Sequence, residues 1–383
     1  MSYQPFSFSK KTNYIFTRDL TQALMDQLEH YRPAKLFVLA SERRFSLVEQ
    51  ALLQSAQPYV LRTGCMPNPT ADFVDDCARQ VLAEGCDFLL GVGGGSTIDA
   101  AKAIAITASN PTQGGVWDYI SLSKQPQRPA LPVGLVITIP STGSECNASA
   151  VISNTTLEEK LIYTEPTMIP VFSITGPELT YTLPKQPAAA GIADIFSHLL
   201  EQYLHNDPYV DVSDYMLLGV MKAVVQWGPV ALEQPENYDA KANLLWASYL
   251  AMSRVLAVGH AENWISHMIE HALSAKYDLP HGAGMSIVMP AYLSMITPMD
   301  SSGRLKRLSE EVFGTSERPA DVLLRNFFTQ LELPSTLSQA GICMEQDALE
   351  QCADKAMPWG PMTVPGYEPF GLPQAKELLE SVR

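Results

Sequence analysis

Along the first half of the chain, short apolar runs alternate with stretches whose apolar positions recur every three or four residues. Lys35–Leu39, Tyr59–Leu61, Asp87–Val92, Leu131–Ile139 and Val171–Ile174 are rich in Leu, Val and Ile, the pattern of strands buried on both faces. Between them, Ser46–Gln54, Asp72–Glu84 and Thr97–Ala108 have helical spacing. Strands alternating with helices of that length predict βαβ units and a largely parallel sheet.

Beyond Gln186 the period changes. Apolar residues recur at helical spacing over Ala188–Leu204, Tyr215–Val225, Lys241–Val258, Ile265–Lys276, Ala291–Met295, Arg304–Phe313, Ala320–Leu331 and Gln374–Val382, and strand signals almost vanish. Pro187 stands just ahead of the first of these, where a helix start tolerates proline. The expected architecture is an α/β N-terminal domain over residues 1–184 and an all-α C-terminal domain over 185–383. No internal repeat or low-complexity tract interrupts it.

Composition narrows the function classes. The 383 residues are 46% hydrophobic and 17% charged, against roughly 25% charged in an average domain, which excludes a disordered chain and implies an ample core. A net charge of −15 with no basic patch argues against nucleic-acid binding. No run approaches the ~18 consecutive apolar residues of a membrane span, and MSYQPFSFSKKTNYIF does not have the form of a secretory signal. Cys65, Cys77, Cys86, Cys146, Cys343 and Cys352 form no CxxC pair, which speaks against a thiolate zinc site or a redox motif. Scattered thiols in a chain this long point to the cytoplasm, with the cysteines as small buried hydrophobes.

Two loops carry candidate cofactor chemistry. Gly91–Lys102 reads GVGGGSTIDAAK, a strand running through a glycine turn into a helix. Backbone N–H groups at such a helix start favour a phosphate, although a tight strand-to-helix turn accounts for the string equally simply. The acidic residue of an ordinary dinucleotide fingerprint does not follow. The second loop, Thr138–Asn147, is dense in hydroxyl and amide groups suited to phosphate, ribose or carboxamide, or to capping the next element. Ser144 has no GxSxG context, so it does not read as a hydrolase nucleophile. Cys146 reads as a bystander.

His30 stands alone, whereas His198, His205, His260, His267, His271 and His281 crowd one part of the helical half. Asp194 and His198 are spaced i, i+4, as are His267 and His271, and His281 follows in a Pro280–His281–Gly282 turn. Two helical pairs and a turn histidine offer imidazole nitrogens and one carboxylate to a single ion. That mixed set suits Fe²⁺ or Zn²⁺ rather than Mg²⁺ or Ca²⁺. His205 and His260 have no such partners in sequence and read as surface residues or as lying behind the ligands.

Taken together, GGGSTIDAAK (Gly93–Lys102), IPSTGSE (Ile139–Glu145), Asp194/His198, HMIEH…PHG (His267–Gly282), PNPT (Pro67–Thr70) and PELTYTLP (Pro177–Pro184) resemble the iron-containing (group III) alcohol dehydrogenases. Similarity is greatest to the NADPH-dependent aldehyde reductase and butanol dehydrogenase branch, and it covers nearly the whole chain. The resemblance implies a dehydroquinate synthase-like architecture: a dinucleotide-binding α/β domain, a helical metal-binding domain and a cleft between them. It implies Asp194, His198, His267 and His281 as metal ligands and His271 as the non-ligand histidine near the nicotinamide. Gly94, Gly95, Ser96 and Asp99 match the pyrophosphate loop. Thr138, Thr142, Asn147, Lys160, Leu179 and Thr182 match positions along the cofactor groove, and Asn68 and Pro69 the adenosine end.

The chain departs from the family at three places. Ser41 stands where NAD-preferring members carry an acid, with Arg43 and Arg44 able to pair a 2′-phosphate and Glu42 opposing them. This favours NADP, with NAD as the alternative. Gly176 replaces an aspartate before PELT, and Trp359–Pro373 is unlike the family pattern. The implied activity is reversible hydride transfer between NAD(P)H and a small aldehyde or primary alcohol. A metal would act as Lewis acid and His271 would donate or relay the proton. A polyol or hydroxy-acid dehydrogenase is the alternative within the family. A dehydroquinate synthase-like lyase fits less well, because the helical half is poor in basic residues, and a non-catalytic metal- or nucleotide-binding protein less well again. The partly alternating Phe6–Phe16 matches a strand that pairs between subunits in the family, implying a homodimer. An ordinary edge strand is the simpler physical reading.

Overall fold

A computed structural model of the chain describes residues 6–112, 114–205, 207, 209–357, 360–362 and 369–383. Trp359 and residues 363–368 of the divergent C-terminal stretch lie outside the described residues. The chain divides into two compact units: Ser9–Leu183, and Pro184–Arg383 together with Phe6–Phe8.

In the first unit, strands β1 (Asn13–Phe16), β2 (Leu36–Ala40), β3 (Tyr59–Arg62), β4 (Phe88–Gly93), β5 (Val133–Ile137), β6 (Ser149–Asn154), β7 (Glu159–Thr164) and β8 (Phe172–Thr175) are joined by helices. These are α1 (Leu20–Tyr31), α2 (Glu42–Gln54), α3 (Ala71–Glu84), α4 (Gly95–Ser109) and α5 (Val116–Ile120). Six strands form one sheet in the order β1-β8-β5-β4-β2-β3. Every pairing in it is parallel. Because side chains alternate along a strand, the apolar runs serve two cores at once. Leu36, Val38 and Ala40 pack with Leu24, Leu28, Phe45 and Val48 on one face of the sheet. Phe37 and Leu39 pack with Val74, Val81 and Ile104 on the other.

The antiparallel hairpin β6–β7 has no counterpart in the sequence expectation, since its apolar runs are only three residues long (Ala150–Ile152 and Leu161–Tyr163) and are flanked by Ser, Asn, Glu, Lys and Thr. It packs on α4, and its Ser153 N–H donates to the Pro69 carbonyl at 2.9 Å. Of the alternating stretch Phe6–Phe16 only Asn13–Phe16 is strand, an edge strand paired with β8.

The second unit is helical: α6 (Lys185–Tyr203), α7 (Asp211–Glu233), α8 (Tyr238–Met252), α9 (Ile265–Tyr277), α10 (His281–Ile296), α11 (Arg304–Phe313), α12 (Ala320–Gln330), α13 (Gln346–Lys355) and α14 (Leu372–Ser381). α6 is its axis, buried from Gly191 through Tyr203 and packed against α7, α8 and α10. α7 is long and apolar enough to cross a membrane by length and composition, in contrast to the expectation from consecutive apolar residues. It opens on Asp211 and Asp214 and packs against α6, α8 and α11.

Several elements differ from the periodicity. The helix expected to Val258 stops at Met252, because Arg254 adopts a left-handed φ of 67° that no helix continues. α13 is too polar to register as a helical run. His281, expected in a turn, is the first residue of α10, with Pro280 just before it.

Candidate metal centre and cofactor loops

On α6, Asp194, His198 and Glu201 follow at i, i+4 and i+7 and share one buried face. α9 brings His267, Glu270 and His271, and α10 brings His281 at its first position. The start of α10 lies directly on the α6 backbone: a Cβ on Gly282 would stand 1.9 Å from the Ala190 carbonyl oxygen. Gly284 leaves the room that Glu270 occupies, since a Cβ there would come within 2.6 Å of its side chain. Two glycines that weaken a helix locally are therefore what seats His281 against Asp194.

One donor atom from each of Asp194, His198, His267 and His281 falls within 4.8 Å of the other three. From Asp194 Oδ1, the His198 Nδ1 and His281 Nε2 atoms are each 3.3 Å away, and His267 Nε2 is 3.9 Å away. Four donors set tetrahedrally about 2.1 Å from one ion stand roughly 3.4 Å apart, so the spacing fits a four-coordinate ion. Among the described residues, His198 Nδ1 and His267 Nε2 are buried without a hydrogen bond, an arrangement that costs free energy unless something else occupies them. The donor set and the orphaned nitrogens thus fit a divalent transition ion.

Without an ion, burial and mutual charge move the four groups in opposite directions. Burial pushes the Asp194 carboxyl up, but His198 and His281 outweigh it and hold it well below the usual carboxylate range. Burial takes His198 down to about 3, so its ring is neutral and able to coordinate. For His267 burial is outweighed by Glu201 and Asp194, which lift it to about 10. His281 is likewise raised, by Glu270 and Asp194 against burial.

His271 is buried and its ring centroid lies 5.6 Å from that of His281. With Glu270 and His281 it forms a second, overlapping cluster of ligand-type atoms. Sequence reasoning missed Glu201 and Glu270. Glu201 Oε2 accepts from His267 Nδ1, and Glu270 Oε2 from His281 Nδ1. Both lay in plain view, Glu201 three residues after His198 and Glu270 inside HMIEH.

His205 and His260 are not surface residues. Their rings stack at 4.1 Å in the interior. His205 Nε2 meets Asp214 Oδ1 at 3.1 Å, and that carboxylate takes a two-pronged grip from Arg304 at 2.9 and 2.8 Å. Their partners were invisible in sequence because Arg304 arrives from α11.

In the parallel sheet the cofactor candidates gather at one edge. Ser41 and Arg43 follow β2, Asn68 follows β3, Gly94–Asp99 follow β4, Thr138 and Thr142 follow β5, and Leu179 and Thr182 follow β8. All of these are carboxyl ends of strands, where open α/β sheets bind ligands. The strand order reverses between β2 and β4, the switch point at which such a crevice opens.

Gly94 caps α4 without a side-chain bond, leaving the first N–H groups of a fifteen-residue helix for an anion. The glycines are also needed for the approach of the two loops. A Cβ on Gly95 would lie 2.5 Å from Thr142 Cγ2, and one on Gly94 2.7 Å from the Ile139 side chain. Thr138 is fully buried, and among the described residues its Oγ1 has no hydrogen-bond partner. Ser96 sits in the first turn of α4.

Asp99 braces this loop from within. Its carboxylate accepts from Ser144 Oγ and from the Val151 N–H at 3.0 Å, and pairs with Lys102 at 3.7 Å. The completely buried Lys102 ammonium donates to Ser144 O at 2.9 Å, to Ser144 Oγ and to Ser149 O, and reaches Asn147 Oδ1 at 3.4 Å. Lys102 is the third residue that sequence reasoning passed over. Asn147 Oδ1 also accepts from Ser149 N at 2.9 Å, and Lys160 sits buried in β7, in register with Ser153. Burial drives the Cys146 thiol pKa up, consistent with a bystander.

Ser41 caps α2 by accepting from Arg44 N, and Arg43 donates to the Thr182 carbonyl at 3.2 Å, joining two of the candidates. Asn68 takes a left-handed φ of 53°, a conformation asparagine tolerates. Gly176 has a steric reason: a Cβ there would lie 2.2 Å from the Thr17 carbonyl oxygen, leaving no place for the aspartate usual in the family.

Comparison with known proteins agrees with this geometry. Residues 11–177 match the family model "Iron-containing alcohol dehydrogenase", and residues 188–382 match "Fe-containing alcohol dehydrogenase family, C-terminal". The chain is 33% identical to the NADH-dependent butanol dehydrogenase B of Clostridium acetobutylicum over 98% of both chains. It is 32% identical to the NADPH-dependent aldehyde reductase YqhD of Escherichia coli over 88% of this chain and 89% of that one. Among solved structures, the NADH-dependent butanol dehydrogenase A of Thermotoga maritima superposes with a TM-score of 0.91 at 28% identity, covering 100% of this chain and 99% of that chain. With both halves matched and the fold shared throughout, the chain belongs to the iron-containing alcohol dehydrogenase family and is an oxidoreductase of that class.

Proposed function

We propose that the protein transfers hydride reversibly between NAD(P)H and a small aldehyde or primary alcohol. The observation that carries this reading is the convergence of Asp194, His198, His267 and His281, with His198 Nδ1 and His267 Nε2 buried and unbonded. When bound there, Fe²⁺ or Zn²⁺ supplies Lewis acidity toward the substrate oxygen. The donor set accepts either ion.

The chain's own groups divide the remaining work. The first turn of α4 and the Thr138–Asn147 loop orient the dinucleotide. His271, outside the four proposed ligands but beside His281, holds the proton that the alkoxide takes up on aldehyde reduction. Ser41, Arg43 and Arg44 favour NADP, because a serine does not repel a 2′-phosphate and a guanidinium pairs it. A homodimer built on the open edge of β1, where Phe16 is exposed, accords with the resemblance. Six free thiols accord with a cytoplasmic location.

The test is metal content and turnover in Asp194→Ala and His267→Ala. Both variants are expected to purify with less than one-tenth of the wild-type metal and to lose aldehyde reduction. Normal metal and normal turnover in both would end the assignment.

A further inference from the structure

We infer that Glu201 and Glu270 are positioning residues that set the orientation and affinity of the metal centre, each acting through a histidine on another helix. The inference rests on the metal reading above. Glu201 lies on α6 and Glu270 on α9, and both are completely buried. Glu201 Oε2 faces His267 Nδ1 on α9, and Glu270 Oε2 faces His281 Nδ1 on α10. A carboxylate accepts only, so the imidazole nitrogen against it must carry the proton. In both rings the other nitrogen, Nε2, is turned toward Asp194 and is the one left to give up its proton and coordinate when an ion binds. The carboxylates thus choose the tautomer that coordinates and raise the basicity of the coordinating nitrogen.

Two further observations show that these contacts are built. Glu201 Oε1 accepts the His267 backbone N–H at 3.2 Å, and its own carbonyl accepts from Asn263 N at 3.2 Å. α9 has no side-chain cap of its own, so Glu201 supplies an acceptor in its first turn and fixes where His267 begins. Glu270 fits only because position 284 is glycine. His198 is different. It presents Nδ1, and among the described residues no carboxylate hydrogen bond is found on its other nitrogen. Two of the three imidazoles are therefore held from behind and the third is placed by α6 and the Trp264 ring.

The experiment uses the full chain loaded with Zn²⁺, with release followed by a colorimetric chelator and affinity by competition. Glu201→Ala and Glu270→Ala are expected to weaken zinc binding 10–100-fold. The Gln variants, whose amide oxygen still accepts from Nδ1–H, are expected to lose less. Co²⁺-substituted Gln variants are expected to show shifted visible absorption bands, which a purely structural role would leave unchanged. Thermal melting of metal-free proteins separates folding from binding: the Gln variants are expected to melt with the metal-free wild type. Wild-type zinc affinity in both Ala variants, or unshifted cobalt bands in both Gln variants, overturns the inference. Full zinc retention in Asp194→Ala would instead overturn the metal reading itself.

Discussion

The ammonium of Lys102 donates to both the carbonyl and the hydroxyl oxygen of Ser144, so a residue on the α4 helix holds the loop after β5 in place. The same ammonium lies 3.7 Å from Asp99, and neither charge is open to water. Removing one member of a buried pair leaves the other uncompensated, at a cost of about 3–5 kcal/mol. Lys102→Met is expected to lower the melting temperature clearly and to raise the Kd for NADPH. Asp99→Asn combined with Lys102→Met is expected to recover part of the stability but not the cofactor affinity, because the Ser144–Ser149 segment stays unclasped. Cofactor fluorescence titration and thermal melting check both halves.

Gly95→Ala would set a methyl 2.5 Å from Thr142 Cγ2. The two loops must part, and NADPH affinity is expected to fall at least tenfold while metal content stays at the wild-type level. Adding Thr142→Ala removes the obstructing methyl. The double variant is expected to bind NADPH more tightly than Gly95→Ala alone, as titration will show.

Gly284→Ala would place a methyl within 2.6 Å of Glu270, which is buried and bonded to His281 and has nowhere to go. Zinc affinity is expected to drop about tenfold through that histidine, although no ligand has been touched. Competition against a chelator measures it.

Ser41→Asp keeps a good N-cap on α2 and introduces the acid that repels a 2′-phosphate. The ratio of kcat/KM for NADPH to that for NADH is expected to fall at least tenfold. Arg43→Ala is expected to move the ratio in the same direction by less, since Arg43 is shared with the Thr182 carbonyl. Steady-state kinetics with both cofactors decides the point.

Burial holds the Glu145 carboxyl up, to about 7 from an ordinary 4.5. The folded protein then keeps a proton that the unfolded chain has already lost. The stability tied to this proton is full below about 4.5 and is lost as the pH climbs through about 7, a swing of about 3 kcal/mol. Glu145→Gln is expected to flatten that fall and to be the more stable protein at pH 8. Denaturant melts at a series of pH values provide the measurement.

Periodicity located five strands of the sheet and most helices because buried parallel strands and amphipathic helices write their environment into the chain. It missed α1 and the short α5, β6–β7, whose strands are half polar, and α13, whose buried face is only Leu349, Cys352 and Ala353. At the site, Asp194/His198 and His267/His271 were legible because i, i+4 spacing survives as a local pattern, while His281 came from its Pro280–His281–Gly282 turn and the choice of four ligands from the family resemblance. Lys102 was not, since its partners lie some forty residues away. The pairing of His205 with Asp214 was hidden because it crosses the break between two helices, and that of Asp214 with Arg304 because it joins residues far apart in the chain.

α4 is buried at every position from Ile98 to Ala108. A helix enclosed on every side has no room to pivot, and its backbone amides belong with the slowest to exchange with solvent. On the proposed reading of α4 as a phosphate site, the amides at its open end are therefore already aimed before any nucleotide arrives. The disorder that a flexible phosphate loop surrenders at each encounter is, in this protein, given up once, during folding.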